Sequence, residues 1–569
     1  MLRRSDVIAE IYFERDDVNV IPFFYICRNA LKYSIMKSLF RTVASAFLVF
    51  LCLSACNKEV PQDEIQGPGN SDTEIVEDTA ALAMTEFKLL YYHNDNKFSD
   101  IVRFEIGESE ITAYYEELID MTSLVVDFKA TGKAYVGDVE QVSGQTPNDF
   151  SKPVVYTLKN SRGETREYTV KLSCFTGLPI VYFNTKSGVN VKDKENWEDA
   201  TIRIVDPNGE LGMEETAVET KGRGNSTWNF TAKQPYALKF GSKTEVMGMP
   251  KHKRWILMAN YRDRTMIRNA VAFELANRTG LAWTPRVEFV ELIMNGKHRG
   301  NYMVTEQVRI DKNRIDVTEL EKTDVSGDAL TGGYVLEVDQ WDDEVNMFKS
   351  KVMENKWGNT SCTIMLKFPD EDDAVPAHVD YIKNYIWEIE DLMLAGNFKK
   401  IYDDYIDIDS FIDFFFVQEL VGNKEPWRGP YSTYMYKDRG EKLFAGPVWD
   451  FDFTTFMWYK DNNAEKIYNE KSAWYKYFLK DPIFKARMKE RWAELKGGFS
   501  TMPDYIDELA AKLEKSAAIN TRMFSPGLDS DIGGLFNGDE TLPWEESIEA
   551  MKLYWNKKFN YFDNWIASF

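Results

Sequence analysis

Apolar residues change their period along this chain, and the change fixes how many kinds of structure it must contain. Between about residues 80 and 176 several runs alternate apolar with polar positions: "MTEFKLLYYH", "DIVRFEIGESEITAYY", "SLVVDFKATGKAYVGD" and "REYTVKLSC", broken by turn residues. Successive side chains of an extended chain point to opposite faces, so these runs read as strands with one face turned to a core. From about residue 180 the order is strands, a helix, two strands, further strands, and a long helical C-terminal half. Strands segregated from helices predict a multidomain chain. An all-β sandwich spans 80–176, with Gly177 and Pro179 marking its exit, and a two-lobed α+β unit spans 177–569. Its small lobe covers about 180–310 and its large lobe about 330–569.

Charge and composition remove several functions. The net charge of −22 lacks the basic footprint of a nucleic-acid-binding protein. The four histidines, His93, His252, His298 and His378, are scattered, with neither HExxH nor ligand spacing, which argues against a zinc hydrolase. No GxSxG elbow accompanies them. Hydrophobic residues at 44% and aromatics at 14% suffice for a large core.

The N-terminus reads as targeting. "MKSLFRTVASAFLVFLCLSAC" begins at Met36 with Lys37 and Arg41, followed by the apolar run Val43 to Leu53. A charged start and a short apolar stretch make a secretory signal, too short to span a bilayer comfortably. Residues 1–35 read as an over-extended start. "LSAC" resembles a bacterial lipobox, which implies cleavage before Cys56 and lipidation of that cysteine; an ordinary signal with an incidental cysteine is the alternative. Asn57 in place of Asp leans towards the outer membrane, facing the periplasm or the surface of a Gram-negative cell envelope. "NKEVPQDEIQGPGNSDTEIVEDT" then reads as a disordered tether over 56–79. Cys174 and Cys362 remain in the mature interior, and sequence separation does not pair them.

Several stretches carry candidate chemistry. "KGRGNSTWNFTAKQPYALKF" sets Gly222 and Gly224 around Arg223, next to Asn225, where glycines let backbone approach an anion. Its closing strand places Tyr236, Leu238 and Phe240 on one face and Lys239 on the other. "YRDRTMIRNAVAFELANRTG" reads as a helix capped by Asp263 or Thr265 and ended by Gly280, with Glu274 inside it. "RVEFVELIMNGKHRGNYMVTEQVRI" reads as a hairpin turning at Asn295-Gly296, with Glu306 and Gln307 at its end. A helix, "IDSFIDFFFVQEL", delivers a polar loop with Asn423 and Glu425. In "GPVWDFDFTTF" an extended reading puts Trp449, Phe451 and Phe453 on one face and Asp450 and Asp452 on the other, where their charges oppose each other unless a cation intervenes.

Seven motifs in order, "RGNSTW", "K.PY.LKF", "NG...GNYMVTE", "GGYVLEVD", "LKFPD", "VQEL.GN" and "GPVWDFD", resemble the CotH kinase family, a spore-coat-associated group with an atypical protein-kinase-like fold. The resemblance covers about 180–460 closely and the helical tail to 569 more loosely. It implies an ATP- and Mg²⁺-dependent kinase, with Mn²⁺ as a substitute metal, acting on Ser or Thr of an envelope protein. Asp450 and Asp452 would hold the metal, with Ser432 as a further ligand where some relatives have Asn. Glu425, where relatives carry Asp, would orient or deprotonate the acceptor hydroxyl, supported by Asn423. Arg223 and Asn225 would cover the phosphates, Lys239 would pair with them against Glu274, and Glu306 and Gln307 would cradle adenine. "VSGQTPNDFSKPVVYTLKNSRGETREYTVKL" likewise resembles the closing strands of immunoglobulin-like envelope modules, which implies a spacer, or else a carbohydrate- or protein-binding module. Two other readings stay open: a catalytically weak or inactive kinase-like binding module, and a structural or adhesive surface lipoprotein.

Overall fold

The computed structural model describes residues 81–98, 101–115, 119–206, 212–339, 344–354, 361–424, 431–457, 464–524, 539 and 541–569. The signal, Cys56, the tether and Glu425 lie outside the described residues. The first described region is two β-sheets on one core. A four-stranded sheet orders Val102–Arg103, Met84–Leu89, Leu124–Ala130 and Pro147–Asn148. A six-stranded sheet includes Glu110–Tyr115, Thr165–Cys174 and Val154–Lys159. The first two of these pair in parallel, the last two antiparallel. Their inward faces bury Phe87, Leu124, Phe150, Tyr156, Leu158 and Val170 in a single cluster, as the period-two pattern requires.

Seven strands follow and close into a barrel: Ile180–Thr185, Glu198–Val205, Gly212–Gly222, Tyr236–Val246, Met249–Met258, Lys297–Glu306 and Val287–Met294, in that spatial order. Closure comes from parallel pairing of Ile180–Thr185 with Val287–Met294, across about a hundred residues of chain. Tyr236, Leu238 and Phe240 fill the barrel interior, and Lys239 lies outside it. Asn295 and Gly296 turn the hairpin with φ of 50° and 71°, as an Asn-Gly turn should. The barrel is buried on its outer side too. Ile256, Met258, Phe289 and Met303 face the helix Arg268–Asn277 and join the main core.

A five-stranded sheet, ordered Met347–Glu354, Ser361–Phe368, Tyr334–Asp339, Thr433–Lys437 and Leu443–Ala445, packs with helices to complete the mixed α/β region. The helix Ile408–Leu420 is buried from Ser410 to its end, capped where the Asp407 carboxylate accepts from the Ser410 amide at 2.8 Å. The helices Pro482–Phe499, Met502–Met523 and Trp544–Ala567 close the chain. Cys362 is a buried free thiol. Among the described residues no helix is long and apolar enough to cross a membrane.

Candidate functional site

The strand ending at Ala445 does not continue through the acidic run. Asp450, Thr454 and Phe456 take φ of 67°, 59° and 47°, so the segment is a series of turns and the extended alternation fails. Two anchors bend it. Trp449 stacks on Phe273 at 5.8 Å and Phe451 meets the same ring edge-on at 6.1 Å. The Phe451 amide donates to Asn269 Oδ1 at 2.8 Å, and Arg268 Nε donates to the Thr455 carbonyl at 3.3 Å. Neighbouring residues of one helix thus clamp both ends of the turn. Asp450, held between two pinned rings, adopts a left-handed backbone that costs a non-glycine residue about 1 kcal/mol.

That conformation brings the two carboxylates together. Asp452 is buried, and burial followed by the charge of Asp450 pushes its pKa up to about 7, against the pull of Arg262. Ser432, itself at φ 48°, sets its hydroxyl 3.2 Å from Asp450 Oδ2 and 3.4 Å from Asp339 Oδ2. Across the site stands Arg223. Gly222 lets its strand end there, because a Cβ on Gly222 would lie 2.4 Å from the Trp228 ring. The guanidinium sits 5.6 Å from the Trp449 ring centre and forms no ion pair among the described residues. Burial lowers its pKa, opposed by Asp450, Tyr434, Asp452 and Glu337. Glu337 in turn lies 3.2 Å from Lys367 Nζ.

Among the described residues no three His, Cys, Asp or Glu side chains form a self-sufficient metal cluster. What converges is oxygen only: the Asp450–Asp452 pair, with the Ser432 hydroxyl and Asp339 beside it. A hard divalent cation that keeps waters and binds phosphate oxygens uses one or two carboxylates, so these residues fit such an ion.

The other residues singled out from sequence are placed differently. Lys239 pairs with Glu219 on the neighbouring strand at 2.7 Å, while Glu274 pairs with Arg278 at 2.8 Å, so the expected Lys239–Glu274 pair does not form. Glu306 is fully buried and holds Arg286 at 2.9 Å, and the Gln307 carbonyl accepts from Arg314 at 2.6 Å. Both expected adenine contacts already have internal partners. Asn225 accepts from Lys194 Nζ at 2.7 Å, near the start of the short helix Ser226–Phe230. Asn423 is buried, its amide donating to Gln418 at 2.8 Å and its carbonyl accepting from Asn469 at 3.3 Å. Arg223, Ser432, Asp450 and Asp452 are the predicted residues brought together. Sequence reasoning missed Asp339, although it closes the quoted motif "GGYVLEVD", and Asn269, a buried polar residue near the start of its helix.

Fold and site together define a multidomain protein, β-rich at the N-terminus and mixed α/β beyond, whose C-terminal region gathers an acidic turn against a half-buried arginine. Comparison with known proteins makes this specific. The family described as "CotH kinase protein" matches residues 220–562, and the chain belongs to that family. A second family, described as "SGBP, N-terminal", matches residues 95–172. The inner spore coat protein H of Bacillus subtilis (strain 168) is 23% identical over 279 residues, 48% of this chain and 67% of that protein. A crystal structure from Bacteroides thetaiotaomicron, described provisionally as a glycoside hydrolase, shares 14% identity over 50% of this chain, at a TM-score of 0.15. The chain spans 66% of it, just under two thirds of its length.

Proposed function

We propose that this chain is an Mg²⁺-dependent, ATP-using atypical protein kinase that phosphorylates Ser or Thr of cell-envelope proteins. Family membership supports the class, and one observation carries the site: a buried Asp452 pressed against a strained Asp450. Like charges held together at a backbone cost are explained by a function that needs them. A divalent cation bound there would neutralise nucleotide phosphate charge. The Ser432 hydroxyl orients Asp450, and Arg223, without an ion pair among the described residues, offers its guanidinium to a phosphate oxygen. Transfer moves the γ-phosphoryl group to the acceptor oxygen, with ADP leaving and the hydroxyl proton passing to a carboxylate, assigned to Glu425 by its place in the family motif.

We extend the proposal to the rest of the chain. The mixed α/β region is a two-lobed kinase-like unit, the N-terminal sandwich an immunoglobulin-like spacer, and Cys56 the lipid anchor to the outer membrane. The test is transfer of labelled phosphate from ATP with Mg²⁺ or Mn²⁺, beside Asp450→Ala. Transfer lost in the variant supports the reading, and equal transfer in both overturns the site. A second reading, a kinase-like binding module without turnover, is favoured by the Lys239–Glu219 and Glu274–Arg278 pairs, which leave the expected Lys239–Glu274 pair unformed. Nucleotide-dependent thermal stabilisation without transfer would select it.

A further inference from the structure

In a chain of net charge −22, cations should find carboxylates, yet Lys221, Arg254 and Arg309 form no ion pair among the described residues. The three belong to one neighbourhood. The ring centre of Trp197 lies 5.1 Å from Lys221 Nζ and 4.8 Å from the Arg254 guanidinium. Arg309 lies 5.0 Å over Phe368, and its Nε is buried without a hydrogen-bond partner. Arg254 and Arg309 line a cavity of about 290 Å³, together with Lys253, Phe368 and Asp370. That volume is at the lower end of small-ligand pockets, about 300–1,000 Å³.

Carboxylates are near: Glu319, Asp370 and Asp373 line the cavity themselves, yet none forms an ion pair with Arg254 or Arg309 among the described residues. Glu219 is taken by Lys239 at 2.7 Å. Asp311 is taken by Lys243 at 2.5 Å, on the same cavity wall. Glu195 and Asp193 act on Lys221, and Asp370 and Glu344 on Arg309, without forming ion pairs. Burial lowers the pKa of all three cations, and repulsion from Arg254 and Arg309 adds to it at Lys221. Half-buried cations that repel one another are in place for an anion.

We propose that this cavity binds an oxyanion, phosphate or carboxylate, through Arg254 and Arg309, with Lys221 adding charge behind them. Planar guanidinium groups suit such ligands because they donate two parallel hydrogen bonds, and the Trp197 and Phe368 rings lie 4.8 and 5.0 Å from the two guanidinium groups. Arg223, Ser432, Asp450 and Asp452 do not line the cavity, although Tyr434 acts on both Arg223 and Arg309, and binding there does not depend on phosphoryl transfer. Its oxyanion has two chemical sources, the phosphate tail of a nucleotide or the acidic side chains of an acceptor protein.

Isothermal titration of the full chain with sodium tripolyphosphate, without divalent metal, tests the site. Saturable binding is expected, weakened at least tenfold by Arg254→Gln and by Arg309→Gln. Lys496→Gln, which removes a lysine paired with Asp563 on the C-terminal helices, is expected to leave it unchanged. Arg309→Lys, which keeps the charge and loses the fork, should bind between the two, which separates lost recognition from misfolding. Absence of binding, or binding that survives the Arg254→Gln/Arg309→Gln double variant, overturns the proposal. Competition then identifies the source: displacement by metal-free ATP assigns the oxyanion to a nucleotide, and displacement by an Asp/Glu-rich peptide to the acceptor. Displacement by neither overturns the site as a specific one.

Discussion

Asp450 is the residue where local cost and function meet. Its left-handed backbone and its carboxylate beside buried Asp452 each work against the fold. Asparagine tolerates a left-handed backbone well and keeps an acceptor for Ser432, while removing the charge. Asp450→Asn is therefore expected to raise the melting temperature of the metal-free protein, by about 1 kcal/mol of stability. On the proposed function Mg²⁺ should stabilise the unaltered chain, and Asp450→Asn should abolish that stabilisation and reduce phosphate transfer at least a hundredfold. Melting curves with and without MgCl₂ read this directly, and a metal-free variant less stable than its parent would refute the account. A second residue carries the opposite expectation. In the proposed function Glu425 takes the place where the family resemblance implies Asp; it reaches one methylene further, and a misplacement of ~1 Å can cost ~100-fold in rate. Glu425→Asp should raise the transfer rate, and an unchanged or lower rate would remove Glu425 from the catalytic role.

At the scale of elements, the helix Arg268–Asn277 does more than fill the core. Its Asn269 caps the Phe451 amide inside a buried region, and Arg268 holds Thr455 while binding Asp263 and Asp539. Asn269→Ala leaves a buried amide without a partner, which costs about 1–3 kcal/mol. Because the amide belongs to the residue between the two aspartates, transfer should fall further than stability alone explains, and the Mg²⁺ concentration for half-maximal rate should rise. A variant that loses stability but keeps its Mg²⁺ dependence would make Asn269 purely structural. This helix was legible in sequence, as were the Asn295-Gly296 hairpin and the Tyr236, Leu238, Phe240 face, because each depends on neighbours a few residues apart. Barrel closure was not, since nothing local in Ile180–Thr185 announces a parallel partner near residue 290. The acidic run was misread for a related reason. Alternation of aromatics and acids fits a strand, but Trp449 and Phe451 both reach Phe273 through a turn. Lys239 shows the same limit for charges. Its face was readable, but its partner was decided by the cross-strand register that sets Glu219 opposite it.

At the scale of the whole molecule, a polar network buried between the barrel and the helix Met502–Met523 ties stability to pH. Lys233, in the "K.PY" motif, is 2% exposed; it donates to Asn520 Oδ1 at 2.9 Å and to the Asn301 carbonyl. Asn301 in turn donates to Ser516 Oγ at 2.9 Å, and Ser516 donates to Glu291 Oε1 at 2.5 Å. Strand Lys297–Glu306 and helix Met502–Met523 are joined through this lysine. Burial pulls its pKa down to about 7, opposed only by Glu291. Between pH 7 and 10.5 the unfolded chain therefore carries a proton on Lys233 that the folded chain lacks. Unfolding takes up that proton, so stability from this group is complete above the unfolded pKa and is lost as pH falls towards 7. Lys437, pulled down to about 8 by burial, adds a slope of the same sign. Denaturant unfolding at pH 7.5, 8.5 and 9.5, below the range where buried tyrosines titrate, is expected to show stability rising by a few kcal/mol. Lys233→Met, which fills the same space without a charge, should flatten most of that rise and be the more stable form near pH 7. If the slope persists unchanged in Lys233→Met, the proton taken up on unfolding belongs elsewhere. The contact between barrel and helices would then hold a charged lysine whose burial the neighbouring carbonyls fully offset.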